Sequence, residues 1–444
     1  MISTETSDDA ASEEGYDRRR RAQWLAGQAR ADGVARRDML RLLAAAGATA
    51  GAAGAVSALS APRAKAATGA PVTAVSAAAP GIVKPLPADR FTIRGTNAET
   101  KFEALAGTPF LTPASHFFVR NHTATPGLDA KTWSLKIWGD GLKGGGLKYG
   151  GAREFTLADL KRLPSVTRTA FVECAGNGRS FFTSQQGQPA SGTAWTLGAI
   201  GNARWRGVRL SEVLRRAGVS RHAVDVLPRG LDAEYVTDDG TNLGRVRRPL
   251  PISKALDDVI LAYEMNGAPL PADHGYPVRV LVPAWVGIAS IKWVGDIEVS
   301  AQPLFSPWNT QFYRLFGDAY PPQGSAPLTH QTLKSAFELP WNASVDAATT
   351  HHLTGRSWSA TGAITRVDIS TDAGTTWHRA RLKDTPHRAT WTRWTTPWHP
   401  ASPGPTTLLA RATDTTGHTQ PETTTHNSQG YLFDAVVRHP VTVV

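Results

Sequence analysis

The chain carries at residues 171–179 the stretch Phe-Val-Glu-Cys-Ala-Gly-Asn-Gly-Arg, which contains the only cysteine of its 444 residues. The stretch begins as an apolar strand and ends in turn-forming residues, so it should present its last side chain at a surface or cleft. A single thiol cannot form an internal disulfide. Cys174 is therefore either a buried, inert side chain or a soft ligand, and the nearby cation Arg179 favours the reactive thiolate.

The first 66 residues have the pattern of an export signal. Residues 1–35 are polar and charged, and Arg36 and Arg37 then precede a weakly apolar stretch rich in Ala and Gly. The sequence Ala64-Lys65-Ala66 fits the small-residue pattern of a cleavage site. Paired arginines before a mild apolar stretch indicate a twin-arginine signal peptide at 1–66, followed by a linker at 67–84. We expect a periplasmic or secreted protein, with an uncleaved membrane anchor as the alternative.

Composition limits the possible functions. The chain has a formal net charge of +11, but beyond the leader's Arg18 to Arg21 its Lys and Arg are scattered and form no basic helix, which argues against nucleic-acid binding. It contains no Cys-x-x-Cys-His motif, so it should carry no covalently attached c-type haem. After processing, the remaining length exceeds what one core usually serves, which predicts two domains.

Residues 85–303 mix strand-like runs with short amphipathic segments. We predict helices at 155–163 with Thr156 as N-cap, at 210–217 between Ser211 as a cap and Gly218, and at 252–256 with Ser253. Strand-like runs lie at 133–138, 169–173, 224–227, 278–282 and 291–299.

After a proline-rich connector at 304–330, residues 331–444 alternate with period two. A strand at 363–370, a turn at 371–374 and a return strand at 375–382 predict a hairpin. This spacing is typical of an immunoglobulin-like β-sandwich. The expected fold class is α+β, with a mixed α/β domain followed by that sandwich.

The block at 172–179 resembles the signature of the molybdenum sulfite oxidase family. Further blocks follow in the family's order at 118–122, 195–200, 203–208, 262–267, 273–279 and 290–293. The resemblance covers nearly everything past residue 85. It implies a catalytic domain that binds a molybdenum–molybdopterin cofactor and a C-terminal dimerisation domain, and therefore a homodimer.

The resemblance also implies roles for individual residues. Cys174 matches the thiolate ligand of molybdenum, a metal that suits soft sulfur ligands. Arg120, Arg179 and Trp195 match the residues of the oxyanion pocket, and Tyr313 matches the active-site tyrosine. The positions matching the cofactor-binding residues are Phe118, Asn121, His122, Asp232, His274, Arg279 and Lys292.

The activity implied is oxidation of sulfite to sulfate, with electrons passed to a separate acceptor such as a cytochrome c. Two departures loosen the choice of substrate. Gly178 replaces the first of two arginines that animal and plant members carry, and Gln429 stands where several sulfite-oxidising members place an arginine. The alternatives are a molybdopterin reductase of S-oxides or N-oxides and an exported binding or scaffold protein with a degenerate site.

Overall fold

The computed structural model describes residues 80–444. The predicted signal peptide at 1–66 and residues 67–79 of the predicted linker lie outside the described residues. Within the described range, no helix is both long enough and apolar enough to cross a membrane.

Strands dominate the described chain, and its few α-helices are short. The first part contains β1 (Phe91–Arg94), β2 (Asn97–Thr100), β3 (Ser134–Trp138), β4 (Arg153–Thr156), α1 (Leu157–Arg162), β5 (Ser165–Glu173), α2 (Ser180–Ser184), β6 (Ile200–Arg209), α3 (Leu210–Ala217), β7 (Asp225–Gly230), β8 (Leu250–Pro251), α4 (Ile252–Asp257), β9 (Ile260–Met265), β10 (Ala268–Pro269), β11 (Arg279–Leu281), β12 (Val294–Ser300) and α5 (Pro307–Thr310). The last part contains β13 (Lys334–Phe337), β14 (Ala343–Val345), β15 (His351–Trp358), β16 (Ile364–Ser370), β17 (His378–Arg379), β18 (Arg381–Leu382), β19 (Trp391–Trp398), β20 (Gly404–Asp414) and β21 (His439–Val443).

Two five-stranded sheets and the two-stranded sheet β1-β2 form the first domain. One five-stranded sheet has the order β10-β9-β6-β5, with β11 also paired to β9, and the other has the order β4-β3-β12-β7-β8. In the second sheet β12 runs parallel to β3 and antiparallel to β7, so the sheet is mixed. Strand β5 pairs with β6 along its whole length and ends at Glu173, which places Cys174 at the end of the strand.

The C-terminal domain is a β-sandwich of a four-stranded sheet, β13-β15-β19-β18, and a five-stranded sheet, β14-β21-β20-β16-β17. Leu353 and Trp394 of the first sheet share a core with Val367, Leu408 and Val441 of the second. Alternating inward side chains of two facing sheets produce such a core. The predicted fold class is confirmed.

A further apolar cluster joins the two domains. Phe171 on β5 and Phe181 on α2 pack in one buried cluster with Trp358, Trp391 and Phe433 of the C-terminal domain. The strand that leads to Cys174 is therefore packed against both domains.

The predicted helix at 155–163 is α1. Thr156 accepts a hydrogen bond from the Asp159 N–H, and the Asp159 carboxylate accepts one from the Thr156 N–H, so the predicted cap is confirmed. Helix α3 has the predicted bounds, and Gly218 ends it with φ 86° in the left-handed region that glycine tolerates.

Two of the predicted caps are wrong. Ser211 lies buried inside the first turn of α3, because Arg209 is the residue that precedes the helix. Ser253 likewise lies inside α4, whose N-cap is Pro251. In both cases the helix begins directly after a strand residue, and no serine side chain caps it.

The predicted return strand at 375–382 is only partly right. Residues His378–Arg379 pair with β16 as expected, whereas Arg381–Leu382 pair with β19 in the other sheet. The segment crosses from one sheet of the sandwich to the other, which period-two alternation alone does not reveal.

Candidate active site

Cys174 lies at the end of β5, where its backbone is fixed on both sides. Its N–H donates to the Ala199 carbonyl over 2.9 Å, and its own carbonyl accepts from the Asn177 N–H over 2.9 Å. The side chain of Asn177 completes the turn, because its Oδ1 accepts from the Ala199 N–H over 3.0 Å. Cys174 is 9% exposed, and this remaining exposure faces two cavities.

The two cavities meet at Cys174. The inner cavity, of about 720 Å³, extends toward Asp232, His274 and Lys292. The outer cavity, of about 730 Å³, extends toward Arg179, Trp195 and residues of the C-terminal domain. The residues that line both cavities are Arg120, His122, Cys174 and Tyr313.

The inner cavity contains two cations, of which Arg279 is buried and Lys292 is partly buried. Arg279 donates to the carbonyls of His274 (3.1 Å) and Ser290 (2.9 Å), and its guanidinium lies 5.1 Å from the centre of the Trp205 ring. Burial lowers the pKa of Arg279 to about 9. Lys292 donates to the Asn121 side-chain oxygen and to the Asp273 carbonyl (2.9 Å). Burial lowers the pKa of Lys292 well below its usual value, and the nearby Arg279 lowers it further.

Two histidines of the inner cavity are held neutral. Burial, followed by the charges of Lys84 and Lys292, lowers the pKa of His274 well below 6.5, and its Nε2 is buried without a hydrogen-bond partner among the described residues. The pKa of His122 is lowered well below 6.5 by burial and then by Arg120. The indole N–H of Trp308 donates to His122 Nε2 over 2.9 Å, so the ring proton is on Nδ1.

The two carboxylates of the inner cavity behave differently. Asp273 accepts hydrogen bonds from the Lys84 N–H over 2.8 Å and from the Thr125 hydroxyl over 2.6 Å. Its carboxylate oxygens are therefore occupied by contacts within the protein. Asp232 is 3% exposed, and burial raises its pKa to about 6. The Thr123 hydroxyl lies 3.5 Å from Asp232, which leaves the carboxyl able to accept further hydrogen bonds.

Two buried cations elsewhere in the described chain have carboxylate partners. Lys334 pairs with Glu173 over 2.9 Å, and Arg356 pairs with Glu338 over 2.5 Å. Within residues 80–444, by contrast, Arg279 and Lys292 form no ion pair and donate only to carbonyl or amide oxygens. Because unpaired buried charges are costly, this arrangement favours an anionic occupant. The unpartnered His274 Nε2 provides a further polar contact for it.

The outer cavity contains Arg120 and Arg179. Arg179 is 7% exposed, and it donates to the carbonyls of Gln429 (2.8 Å) and Thr193 (2.7 Å). Its guanidinium also lies 5.3 Å from the centre of the Tyr431 ring. Arg120 is half-buried and forms no hydrogen bond or ion pair with other described residues. The fixed Arg179 and the available Arg120 thus form a cationic pocket for a small oxyanion.

Aromatic side chains complete the outer cavity. Tyr313 stacks on Tyr431 with ring centres 5.1 Å apart, and its backbone φ of 57° lies in the left-handed region. Burial raises the pKa of Tyr313 above 10, so its phenol keeps its proton at neutral pH. Trp195, which is 1% exposed, packs edge-on against Phe118. A non-glycine residue with positive φ at a cavity is a costly feature that often marks a functional position.

The two departures from the family pattern both lie near the outer cavity. Gly178 has φ 93°, and an added Cβ would lie 3.1 Å from the Cβ of Phe433, so an arginine there would be strained. Gln429 lines the outer cavity, and its amide N–H donates to the Gln311 carbonyl over 3.0 Å. The outer cavity therefore has two arginines and a neutral amide.

Every predicted site residue lies at one of the two cavities. The predicted cofactor-binding residues all line the inner cavity, and Arg179 and Trp195 line the outer one. Sequence reasoning assigned no role to Tyr235, Phe312 and Tyr431 of the outer cavity. They carry no motif of their own, and Tyr431 comes from the distant end of the chain. The one signal in the sequence is its position two residues after Gln429.

Two family models match this chain, one over each of its domains. The family model "Oxidoreductase molybdopterin binding domain" matches residues 122–308, and "Mo-co oxidoreductase dimerisation domain" matches residues 332–443. The sulfite oxidase of Gallus gallus is 35% identical over 346 residues, which cover 73% of this chain and 71% of that protein. The chain belongs to the sulfite oxidase family.

Other known proteins are similar to this chain at comparable levels. The mitochondrial sulfite oxidase of Rattus norvegicus is 34% identical over 369 residues, covering 79% of this chain and 65% of that protein, so the chain spans just under two thirds of its length. An NADH nitrate reductase of Ulva prolifera is 29% identical over 371 residues, covering 74% of this chain and 40% of that protein. The sulfane dehydrogenase SoxCD of Paracoccus pantotrophus superposes with a TM-score of 0.65 at 29% identity, covering 77% of this chain and 83% of that chain.

The residues of the inner cavity fit the cofactor of this family, a molybdenum–molybdopterin. A phosphate-bearing anion would satisfy the unpaired charges of Arg279 and Lys292 and the free Nε2 of His274. Asp232 and Asn121 offer oxygen acceptors for the amino groups of a pterin. Cys174 offers the thiolate at the junction with the outer cavity.

Proposed function

We propose that this protein oxidises sulfite to sulfate at the junction of the two cavities. The observation that carries the proposal is the outer cavity, where Arg120, Arg179 and Tyr313 lie around the same opening as Cys174. Sulfite is a small anion at neutral pH, and two guanidinium groups can both attract it and orient it. The similarity to sulfite oxidases supports this substrate.

The reaction adds one oxygen atom to sulfite: SO₃²⁻ + H₂O → SO₄²⁻ + 2e⁻ + 2H⁺. Molybdenum, when bound to Cys174, would supply the two-electron oxidation and the transferred oxygen. Arg179 is held in place by two carbonyls, so it needs little reorganisation to bind an oxyanion. Arg120 has free donors and can close on the substrate.

Tyr313 is the candidate for proton handling. Its phenol is kept protonated by burial, and Arg120 and Arg179 are close enough to oppose that pKa shift. A neutral phenol can donate a hydrogen bond to an oxygen that gains charge during the reaction. The buried aromatic rings of Trp195 and Tyr431 line the same cavity.

We propose further that the protein is exported by the twin-arginine route, forms a homodimer and passes its electrons to a separate acceptor such as a cytochrome c. Arg36 and Arg37 and the tract Ala64-Lys65-Ala66 support export. The match to a dimerisation domain supports the homodimer. The lack of a Cys-x-x-Cys-His motif supports an acceptor outside this chain.

The direct test is turnover by purified protein of known molybdenum content. Sulfite is supplied with ferricyanide, cytochrome c or oxygen as acceptor, and sulfate is quantified. We expect sulfate formation with at least one acceptor and a raised KM for sulfite in Arg120→Gln. Fully loaded protein that forms no sulfate with any acceptor would contradict the proposal.

Oxygen removal from an S-oxide or N-oxide is a second candidate. The neutral Gln429 and the aromatic lining of the outer cavity favour a less charged substrate, and the nitrate reductase relative supports reductive chemistry in the family. The same protein preparation, supplied with reduced methyl viologen and either dimethyl sulfoxide or trimethylamine N-oxide, tests this alternative. Reduction of either compound, without sulfite oxidation, would favour this alternative.

A further inference from the structure

Glu173, the residue directly before Cys174, is completely buried, and its carboxylate has three donors. The Lys334 ammonium lies 2.9 Å from Oε1, the Asn177 amide donates to Oε1 over 3.0 Å, and the Trp358 indole N–H donates to Oε2 over 3.0 Å. The backbone carbonyl of Glu173 accepts from the Gln331 amide over 2.6 Å. Lys334, Trp358 and Gln331 all belong to the C-terminal part of the chain.

The ion pair between Glu173 and Lys334 is withdrawn from water, with side-chain exposures of 0% and 2%. A buried charge is tolerated only when it is paired and hydrogen-bonded, and both conditions hold here. Loss of Lys334 would leave a buried carboxylate without its counter-ion, and the surrounding backbone would have to move to solvate it.

The same segment has further contacts with the C-terminal domain on both sides of the cysteine. The Phe171 N–H donates to the Ala389 carbonyl over 2.9 Å, and the Leu432 N–H donates to the Ala175 carbonyl over 2.8 Å. Asn177 connects this network to the turn, because it donates to Glu173 and accepts from the Ala199 N–H. Residues on both sides of Cys174 are therefore hydrogen-bonded to the C-terminal domain.

We propose that Lys334, Trp358 and Gln331 act through Glu173 as positioning residues that fix the Cys174 sulfur for metal binding. The C-terminal domain then positions the metal ligand of its own chain, and this role does not depend on dimerisation. The inference rests on Cys174 as the metal ligand. Groups that hold a ligand in place typically affect metal affinity or activity by roughly 10- to 100-fold.

A second buried ion pair of the same domain provides a matched control. Arg356 and Glu338 have side-chain exposures of 0% and 5%, and Arg356 also donates to the carbonyl of Leu105 in the first domain over 2.9 Å. This pair resembles the Glu173–Lys334 pair in burial, and Arg356 also joins the two domains, but neither residue has a hydrogen bond or ion pair with residues 173–177. Its removal reports the general cost of weakening the contact between the domains.

The test compares Lys334→Met with Arg356→Met in the full-length holoenzyme. Molybdenum content, the electron paramagnetic resonance spectrum of Mo(V), kcat and KM are measured. Cofactor-free protein is also treated with a thiol reagent to time the modification of Cys174. We expect Lys334→Met to shift the resonance spectrum, to lower kcat by roughly tenfold or more at unchanged KM, and to speed thiol modification about tenfold. Arg356→Met should keep the native spectrum and native thiol rate, and Lys334→Arg should restore both.

Matching results in the two methionine variants, or a native spectrum and thiol rate in Lys334→Met, would overturn the proposal. If Lys334→Met yields no folded protein, Trp358→Phe removes one donor to Glu173 while keeping a ring, and the same spectral and thiol criteria apply. Failure of the ligand assignment is recognised separately, because Cys174→Ser would then keep both its molybdenum and the same number of sulfur neighbours.

Discussion

The inner and outer cavities meet at Cys174, yet they hold their cations in different ways. In the inner cavity Arg279 is buried and Lys292 is partly buried, both have lowered pKa values, and neither forms an ion pair with a carboxylate of residues 80–444. In the outer cavity Arg179 is tied to two carbonyls, and Arg120 keeps contact with solvent. Desolvated charges are stabilised only by an anion that stays, whereas a half-exposed arginine can exchange one rapidly. The difference indicates a permanent cofactor inside and a transient oxyanion outside.

The largest effect is expected at the inner cavity. Arg279→Met removes a desolvated cation, and truncating one partner of a buried charge interaction costs about 3–5 kcal/mol, or more than about 100-fold in affinity. We expect the purified variant to contain almost no molybdenum or pterin, measured by elemental analysis and by fluorescence of the extracted pterin.

Arg356→Met is the matched control for this prediction. Like Arg279, Arg356 is buried and lies over a tryptophan ring, 4.3 Å from the centre of Trp391, but it contacts neither cavity. The control should keep its cofactor. Full cofactor content in Arg279→Met would show that the inner cavity does not depend on this charge.

A smaller effect, on kcat, is expected for Tyr313, which lines both cavities. Tyr313→Phe should lower kcat by about 100-fold, in the range for loss of a positioned proton donor, whereas Tyr431→Phe should have little effect. Because burial raises the pKa of Tyr313 above its usual value of 10, the neutral phenol persists to higher pH. The kcat of the wild-type protein should therefore not fall through phenol ionisation below pH 10. A basic limb below pH 10 that disappears in Tyr313→Phe would contradict this account.

Substitutions of the two arginines of the outer cavity should mainly change the KM for sulfite. Arg120→Gln loses charged hydrogen bonds to the substrate, each of about 1.5–3 kcal/mol, so KM for sulfite should rise roughly 10- to 100-fold with little change in thermal stability. Arg179→Gln should raise KM and also lower the melting temperature, because Arg179 supports two backbone carbonyls. Equal decreases of the melting temperature in the two variants would show that Arg179 stabilises the fold no more than Arg120 does.

The smallest effect concerns Gln429 at the rim of the outer cavity. Gln429→Arg adds a cation near the oxyanion pocket and should lower KM for sulfite by a few-fold, since partly exposed charge pairs contribute about 0.2–1 kcal/mol. Gln429→Glu should raise KM by a similar factor. Both changes should weaken at high salt. A change of KM in the same direction in both variants would show that the charge at position 429 does not determine the affinity for sulfite.

The sequence was most informative where local chemistry determines structure. The apolar run that ends in Cys174 predicted a strand end at a cleft, and β5 does end at Glu173. Thr156 predicted a helix cap, and the hydrogen bonds of the capping box are present. The ordered blocks of the family predicted which residues surround the inner cavity, and these residues do meet there.

Long-range contacts were not predictable in the same way. No local pattern connects Glu173 with Lys334 and Trp358, because only the packing of the two domains brings them together. Tyr431 reaches the outer cavity for the same reason. The cap at Ser211 was predicted wrongly because the strand before α3 runs directly into the helix, a tertiary effect that outweighs local preference.

The most direct test of the central claim is X-ray absorption at the molybdenum edge of wild-type protein and Cys174→Ser. We predict that the wild-type protein contains near-stoichiometric molybdenum with sulfur neighbours. Cys174→Ser should either lose the metal or show one sulfur neighbour fewer. The same molybdenum content and the same number of sulfur neighbours in both proteins would contradict the claim that Cys174 binds the metal between the two cavities.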